Sequence, residues 1–171
     1  LMPPTSGRIT LFDRFAPGHP EVLRRIGYMP QEQALYPGLT VLENVQFYGR
    51  LYKIPERELR GRCDEVLEMV ELAARRGSLV STLSGGMVRR AMLATTMIHH
   101  PPLLILDEPT AGVDPLLRLK FWDWFRNLRE RGTTILVTTH HISEASRCQR
   151  VVFLRDGRVL GKFGRRWRCA W

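Results

Sequence analysis

The amino-acid sequence predicts an α/β fold, a parallel sheet core with an inserted helical subdomain, and three observations carry that prediction. First, a continuous apolar run, Leu103-Leu104-Ile105-Leu106, is followed by a helical stripe of Leu117, Phe121, Trp124, Phe125 and Leu128 and then by a second strand-like stretch over residues 133–139. Strand, helix, strand in that order implies parallel pairing with a right-handed crossover, and the chemistry of such sheets gathers at the carboxyl ends of the strands. Second, residues 40–98 repeat their apolar positions at helical spacing, without strand alternation. Third, a length of 171 residues with 44% hydrophobic and 25% charged residues suits one water-facing domain with a substantial core, which excludes a peptide hormone, a disulfide miniprotein and a bulk-disordered chain.

Taken along the chain, Leu1-Met2-Pro3-Pro4-Thr5-Ser6-Gly7 reads as the end of an element running into a turn, and the absence of an initiator methionine suggests an element begun further upstream. In the first helix Val41, Leu42, Val45, Tyr48 and Leu51 share a face, and Thr40 with Glu43 has the form of a capping box. Pro55 and Glu56 open a second helix, whose face of Leu59, Cys63, Val66, Leu67 and Val70 makes Cys63 a core residue. A third helix starts near Ser84-Gly85-Gly86, runs through Val88, Ala91, Met92, Thr95 and Ile98, and stops before Pro101-Pro102. The run at 103–106 has the continuous hydrophobicity of a strand covered on both faces, and residues 133–139 read as another buried strand. Val151 to Leu154, the turn Asp156-Gly157 and Val159-Leu160 form a hairpin.

Twenty-six basic residues against seventeen acidic give a net charge of +9, with Arg158, Lys162, Arg165, Arg166 and Arg168 concentrated at the C-terminal end. Such a balance raises nucleic acid or an anionic membrane face as partners without choosing between them. Cys63, Cys148 and Cys169 are odd in number and far apart, which suggests neither a disulfide framework nor a zinc site and fits a reducing compartment. No apolar run approaches the ~18 residues of a membrane span.

An apolar strand that delivers two adjacent carboxylates, Asp107 and Glu108, fits metal-nucleotide chemistry: one acid serves Mg²⁺ and its waters while the next faces an attacking water. Taken alone, the same pair also reads as the cap of the next helix. Ser84-Gly85-Gly86 at a helix N-terminus combines a hydroxyl with two residues that let backbone N–H groups approach a phosphate, although Ser-Gly-Gly alone also occurs as a plain turn. The order of the whole series decides between these readings: Gln31, then Leu83 to Gly86, Leu103 to Glu108, Ala111-Gly112-Val113-Asp114, and His140.

With that series the chain closely resembles the nucleotide-binding domain of ABC ATPases, from Pro4 to about Gly161. Tyr28-Met29-Pro30-Gln31 resembles the Q-loop, Leu83 to Met87 the signature motif, Leu104-Ile105-Leu106-Asp107-Glu108 the Walker B strand, Gly112-Val113-Asp114 the D-loop, and Thr138-Thr139-His140 the switch histidine. The resemblance implies a P-loop NTPase-type sheet over residues 1–39 and 99–163, a helical subdomain with the signature over 40–98, and a separate basic and aromatic tail over 164–171. It further implies two such domains closing head to tail on two ATP molecules. Glu108 would polarise the water and His140 contact the γ-phosphate, with Asp107 in the Mg²⁺ shell and Gln31 sensing the metal and a transmembrane partner. Ser84, Gly85 and Gly86 would reach the partner's ATP, and Asp114 joins the nucleotide-binding set.

Two departures stand out. Met87 occupies a position where the family usually carries glutamine, and the 171 residues contain no G-x-x-x-x-G-K-[ST] phosphate loop. Gly161-Lys162 comes nearest and fails, because Asp156 and Phe163 hold the first-glycine and Ser/Thr positions. Family order places that loop upstream of Leu1, with Thr5-Ser6-Gly7-Arg8-Ile9 as the turn and strand after its helix, so this stretch alone is expected to lack the main phosphate cradle and a core strand. His99, His100 and His141 are read as surface or helix-end residues. The tryptophans and arginines of 164–171 suit a disordered tail, or contact with nucleic acid or a membrane.

The implied function is ATP hydrolysis that powers a membrane transporter, at the cytoplasmic face of a membrane and in company with transmembrane domains. Gly27-Tyr28-Met29-Pro30-Gln31-Glu32, Leu39-Thr40-Val41-Leu42-Glu43-Asn44 and Gly112-Val113-Asp114-Pro115 are most similar to exporters of the ABC-2 type. Two other readings stand beside it: a soluble ABC-type ATPase that acts on ribosomes or nucleic acid, and a non-catalytic remnant. The short helices between Gln31 and Ser84 argue against the coiled-coil repair relatives, and the presence of Glu108 and His140 argues against a remnant.

Overall fold

A computed structural model describes residues 4–164. The chain divides into two compact units, one ending at Thr138 and the other beginning at Thr139.

In the first unit the strands β1 (Ile26–Met29), β2 (Leu103–Asp107) and β3 (Thr134–Thr138) form a parallel sheet in the order β1-β2-β3. Ile26 lies opposite Leu103, Met29 opposite Leu106, and Asp107 opposite Thr138, so the carboxyl ends of all three strands share one edge. Before β1 stands a one-turn helix, α1 (Pro20–Leu23). The helices α2 (Val41–Leu51), α3 (Glu56–Met69) and α4 (Gly85–Met97) follow, with short 3-10 turns at Ala73–Arg75 and Val80–Thr82.

Local chemistry explains the helix ends. Thr40 caps α2 through a complete capping box: its hydroxyl accepts from the Glu43 N–H, and the Glu43 carboxylate takes the Thr40 N–H. That bond to Thr40 also holds the Glu43 carboxyl below its usual pKa. Asn44, fully buried, ties the preceding loop to the helix: its Oδ1 accepts from the Tyr36 N–H at 2.8 Å and its Nδ2 donates to the Tyr36 carbonyl at 3.1 Å. Leu59, Cys63, Val66 and Leu67 of α3 are buried as their spacing requires, and burial pushes the Cys63 thiol up to about 11. Between β2 and β3 runs α5 (Pro115–Glu130), which buries Phe121, Trp122, Trp124 and Phe125.

A stacked pair sits where α2 and α4 end. The Tyr52 ring lies on the His99 ring at a centroid distance of 3.5 Å and an interplanar angle of 5°. Both side chains point at one acceptor, the Ile26 carbonyl, from which the Tyr52 hydroxyl stands 3.4 Å and His99 Nε2 3.2 Å away. Burial drives the pKa of His99 down to about 4, more than its bond to Ile26 raises it.

The second unit holds the short helix α6 (Ile142–Ala145) and an antiparallel hairpin, β4 (Val151–Arg155) and β5 (Arg158–Phe163). Asp156 and Gly157 both adopt positive φ, 49° and 72°, the left-handed pair that a two-residue hairpin turn needs.

Three expectations change. Residues 8–10 form no strand; instead Leu11 pairs with Phe15 across a tight turn in which Phe12 and Asp13 take positive φ, and Ile9 stays half exposed, with no strand beside it among the described residues. Strand β2 is not covered evenly on two faces: Leu104 and Leu106 are fully buried, whereas Leu103, Ile105 and Asp107 are partly open. Strand β3 is not buried, since it has a single neighbour among the described residues, and Leu136 is 55% exposed. Residues 165–171 lie outside the described residues, and with them all but the first position of the expected 164–171 tail.

Candidate functional site

The carboxyl edge of the sheet gathers the acidic residues. β2 ends on Asp107, whose carboxylate accepts a hydrogen bond from the hydroxyl of Thr138, its register partner on β3. The next residue, Glu108, turns away at φ 47°, a left-handed value uncommon outside glycine, while its N–H still donates to the Thr138 carbonyl at 3.0 Å. The ladder thus extends one residue past the strand, and Thr138 holds both acids, one by its side chain and one by its backbone. Gln31 leaves the neighbouring strand two residues after Met29, exposed and at the same edge of the sheet.

A second group forms at two helix N-termini. Ser84 caps α4, its Oγ accepting from the Met87 N–H at 3.4 Å. Because this cap uses the backbone of Met87, it is indifferent to the methionine that replaces the family's usual glutamine. Gly85 is exposed, and a Cβ built on it meets nothing within 4 Å. Asp114 caps α5, accepting from the Leu117 N–H at 2.9 Å ahead of Pro115, after Gly112 has turned the loop at φ 72°.

Arg89, one turn into α4, belongs to none of these motifs. Burial lowers its pKa, and the negative charge of Glu108 opposes that lowering. Its Nη1 is buried without a hydrogen-bond partner among the described residues. An arginine two residues past the signature carries no signal by itself; only the packing of α4 reveals it. Thr138 stands in the motif of the switch histidine, but nothing in the sequence marks its hold on the two acids.

In the second unit His140 is exposed and its ring lies 4.2 Å from that of His141, whose N–H donates to Thr139 Oγ1 at 3.0 Å. The bond is made by the His141 backbone; His141 stands at the N-terminal end of α6, as expected of a helix-end residue, and its side chain makes no capping hydrogen bond.

The donor set suits a magnesium nucleotide. Mg²⁺ is commonly held by one or two carboxylates together with phosphate and water oxygens, and the Asp107 carboxylate, fixed by Thr138, is a hard oxygen donor of that kind. Among the described residues no group of three or more His, Cys, Asp or Glu gathers to hold an ion unaided, as a zinc site would require.

Comparison with known proteins gives these motifs their context. The family described as ABC transporter matches residues 1–111. The Nod factor export ATP-binding protein I of Bradyrhizobium diazoefficiens is 40% identical over 159 residues, 92% of this chain and 52% of that protein. The linearmycin resistance ATP-binding protein LnrL of Bacillus subtilis is 38% identical over 163 residues, 94% of this chain and 52% of its own length. The chain therefore spans about half the length of both. Among solved structures, the dimeric ATP-binding cassette MJ0796 in a post-hydrolysis state, bound to ADP and Pi, superposes with a TM-score of 0.84 at 29% identity, covering 96% of this chain and 76% of that one. The likeness in sequence thus runs well past the matched motifs, the likeness in fold takes in nearly every residue, and on both counts this chain belongs to the ABC transporter family.

Proposed function

We propose that this chain forms part of the ATP-hydrolysing domain of an ABC exporter and works at the cytoplasmic face of a membrane beside transmembrane domains. The observation that carries the reading is the double hold of Thr138 on Asp107 and Glu108, which presents two carboxylates with separate tasks at one strand end. Asp107 is the ligand for Mg²⁺, which when bound neutralises phosphate charge. Glu108 orients and deprotonates the attacking water. Gln31, just past β1, would serve the same metal–water shell, and His140 would contact the γ-phosphate.

The α4 terminus serves a different nucleotide. Ser84, Gly85 and Gly86 offer a hydroxyl and backbone N–H groups to the ATP held by a second domain of the same kind, with Asp114 beside them, in a head-to-tail dimer. The relative named for Nod factor export supports an export role. The helical subdomain over 40–98 carries this signature end, and residues 1–39 with 99–163 carry the acids.

Hydrolysis of MgATP by the assembled transporter that contains this chain tests the proposal. Glu108→Gln is expected to lower turnover by about 100-fold or more while preserving ATP-induced association. Undiminished turnover removes Glu108 from its role. Leu1–Trp171 by itself is expected to bind ATP weakly, since its 171 residues hold no G-x-x-x-x-G-K-[ST] sequence. A calorimetric affinity of millimolar or better that is lost in Asp107→Asn would contradict that expectation.

A further inference from the structure

The two signature glycines differ in their surroundings. Gly85 is exposed, has no positive φ that would demand glycine, and would present an added Cβ to open space. Nothing within this chain forbids a side chain there. Gly86 is half buried, and a Cβ built on it would stand 2.8 Å from Leu117 Cδ2, nearer than real Cβ atoms approach. Leu117 lies in the first turn of α5, where its N–H is fixed by Asp114 Oδ1 at 2.9 Å. A continuous path therefore runs from the Asp114 cap through the Leu117 backbone and side chain to Gly86, two residues beyond the Ser84 cap of α4.

We propose that Leu117 is a positioning residue that sets the signature turn relative to Asp114, and that Gly86 lacks a side chain to admit Leu117 whereas Gly85 lacks one to admit the ligand. The inference rests on the ATPase reading for its kinetic consequence only. Its packing consequence is independent. Leucine can yield by rotating away, so an alanine at 86 displaces Leu117 from its rotamer and loosens its hold on the signature turn instead of unfolding the domain. Looser placement of a group that contacts the nucleotide acts on the chemical step more than on substrate capture.

A double-mutant cycle of Gly86→Ala and Leu117→Ala, with Gly85→Ala as comparison, tests this. Thermal unfolding of the 171-residue chain is the first readout. Gly86→Ala is expected to lower Tm by about 3 °C in the wild-type background and by less than about 1 °C when Leu117 is already alanine, while Gly85→Ala moves Tm by less than about 1 °C in either. MgATP hydrolysis by the assembled transporter is the second. Gly86→Ala and Leu117→Ala each lower kcat about tenfold with KM changed less than about twofold, and the double variant recovers most of kcat. Gly85→Ala lowers hydrolysis equally with and without Leu117. Equal losses for Gly86→Ala in the two backgrounds, or a Tm loss for Gly85→Ala as large as that for Gly86→Ala, overturn the proposal. If the wild-type assembly hydrolyses no ATP, the ATPase reading fails, and the Tm cycle alone still decides whether Leu117 packs against Gly86 as described.

Discussion

His99 makes the stability of this chain depend on pH in a direction opposite to that of a salt-bridged histidine. Its Nε2–H donates to the Ile26 carbonyl at 3.2 Å, and Nδ1 is buried without a hydrogen-bond partner among the described residues. A second proton would sit on that nitrogen against apolar surroundings, with His100 and Arg62 adding unfavourable charge. The folded pKa is about 4, against an unfolded value of 6.5. The unfolded chain therefore binds more protons than the folded one between these values, so stability is full above about pH 6.5 and falls as pH drops toward 4. A shift of that size corresponds to about 3 kcal/mol at most, and solvent screening of the partly open ring reduces it to about 2 kcal/mol. About 1.5 kcal/mol of this is expected to be lost between pH 7 and pH 5. Urea unfolding at the two pH values, for the wild type and for His99→Phe, isolates the effect, because phenylalanine retains an aromatic face for Tyr52 but does not titrate. The wild type should lose about 1.5 kcal/mol more than the variant. Equal losses, or a His99 resonance that titrates near its ordinary value in the folded protein, would refute the reasoning.

Other substitutions test the scaffold under the site. Asn44→Ala orphans the Tyr36 N–H and carbonyl that the buried amide satisfies, and is expected to lower stability by about 2–3 kcal/mol in chemical denaturation. Gly27→Ala would place a Cβ 2.5 Å from the Thr96 carbonyl oxygen and 2.6 Å from Leu104 Cδ2. The first is backbone in α4 and cannot rotate away, so a loss of about 3 kcal/mol is expected, measured as the denaturation midpoint at unchanged slope. A loss under about 0.5 kcal/mol would mean that β1 and α4 are not packed as tightly as described.

What could be read from the sequence follows the range over which each feature is determined. The capping box of α2 and the start of α4 near Ser84 were legible, because Thr40 with Glu43 and Ser84 with Met87 lie within one turn of each other, whereas Asp114 gave no sign of capping α5 although its partner Leu117 is equally near. The hairpin was legible for the same reason, since Asp156-Gly157 carries its own turn geometry. The four-residue α1 was invisible, being too short for a periodic pattern. The strand expected at Arg8-Ile9 from the family's order of elements does not form, and no strand pairs with these residues among the described ones. In the candidate site, motif order singled out Asp107, Glu108 and the signature residues, but their supports are tertiary. That Thr138 falls opposite Asp107 depends on strand register, and that Arg89 feels Glu108 depends on how α4 lies. Likewise His99 stands at a helix end as its sequence position suggested, yet its stacking on Tyr52 joins residues 47 positions apart.

The hold of Thr138 on both acids narrows what that position tolerates. Valine would suit the strand but strip Asp107 of its hydroxyl partner; asparagine would offer a donor but disfavour the extended backbone that receives the Glu108 N–H. Serine alone satisfies both demands, at some loss of strand preference. In a library randomised at this codon, survivors selected for turnover should therefore be threonine and serine, while selection for folding alone should also admit valine and isoleucine.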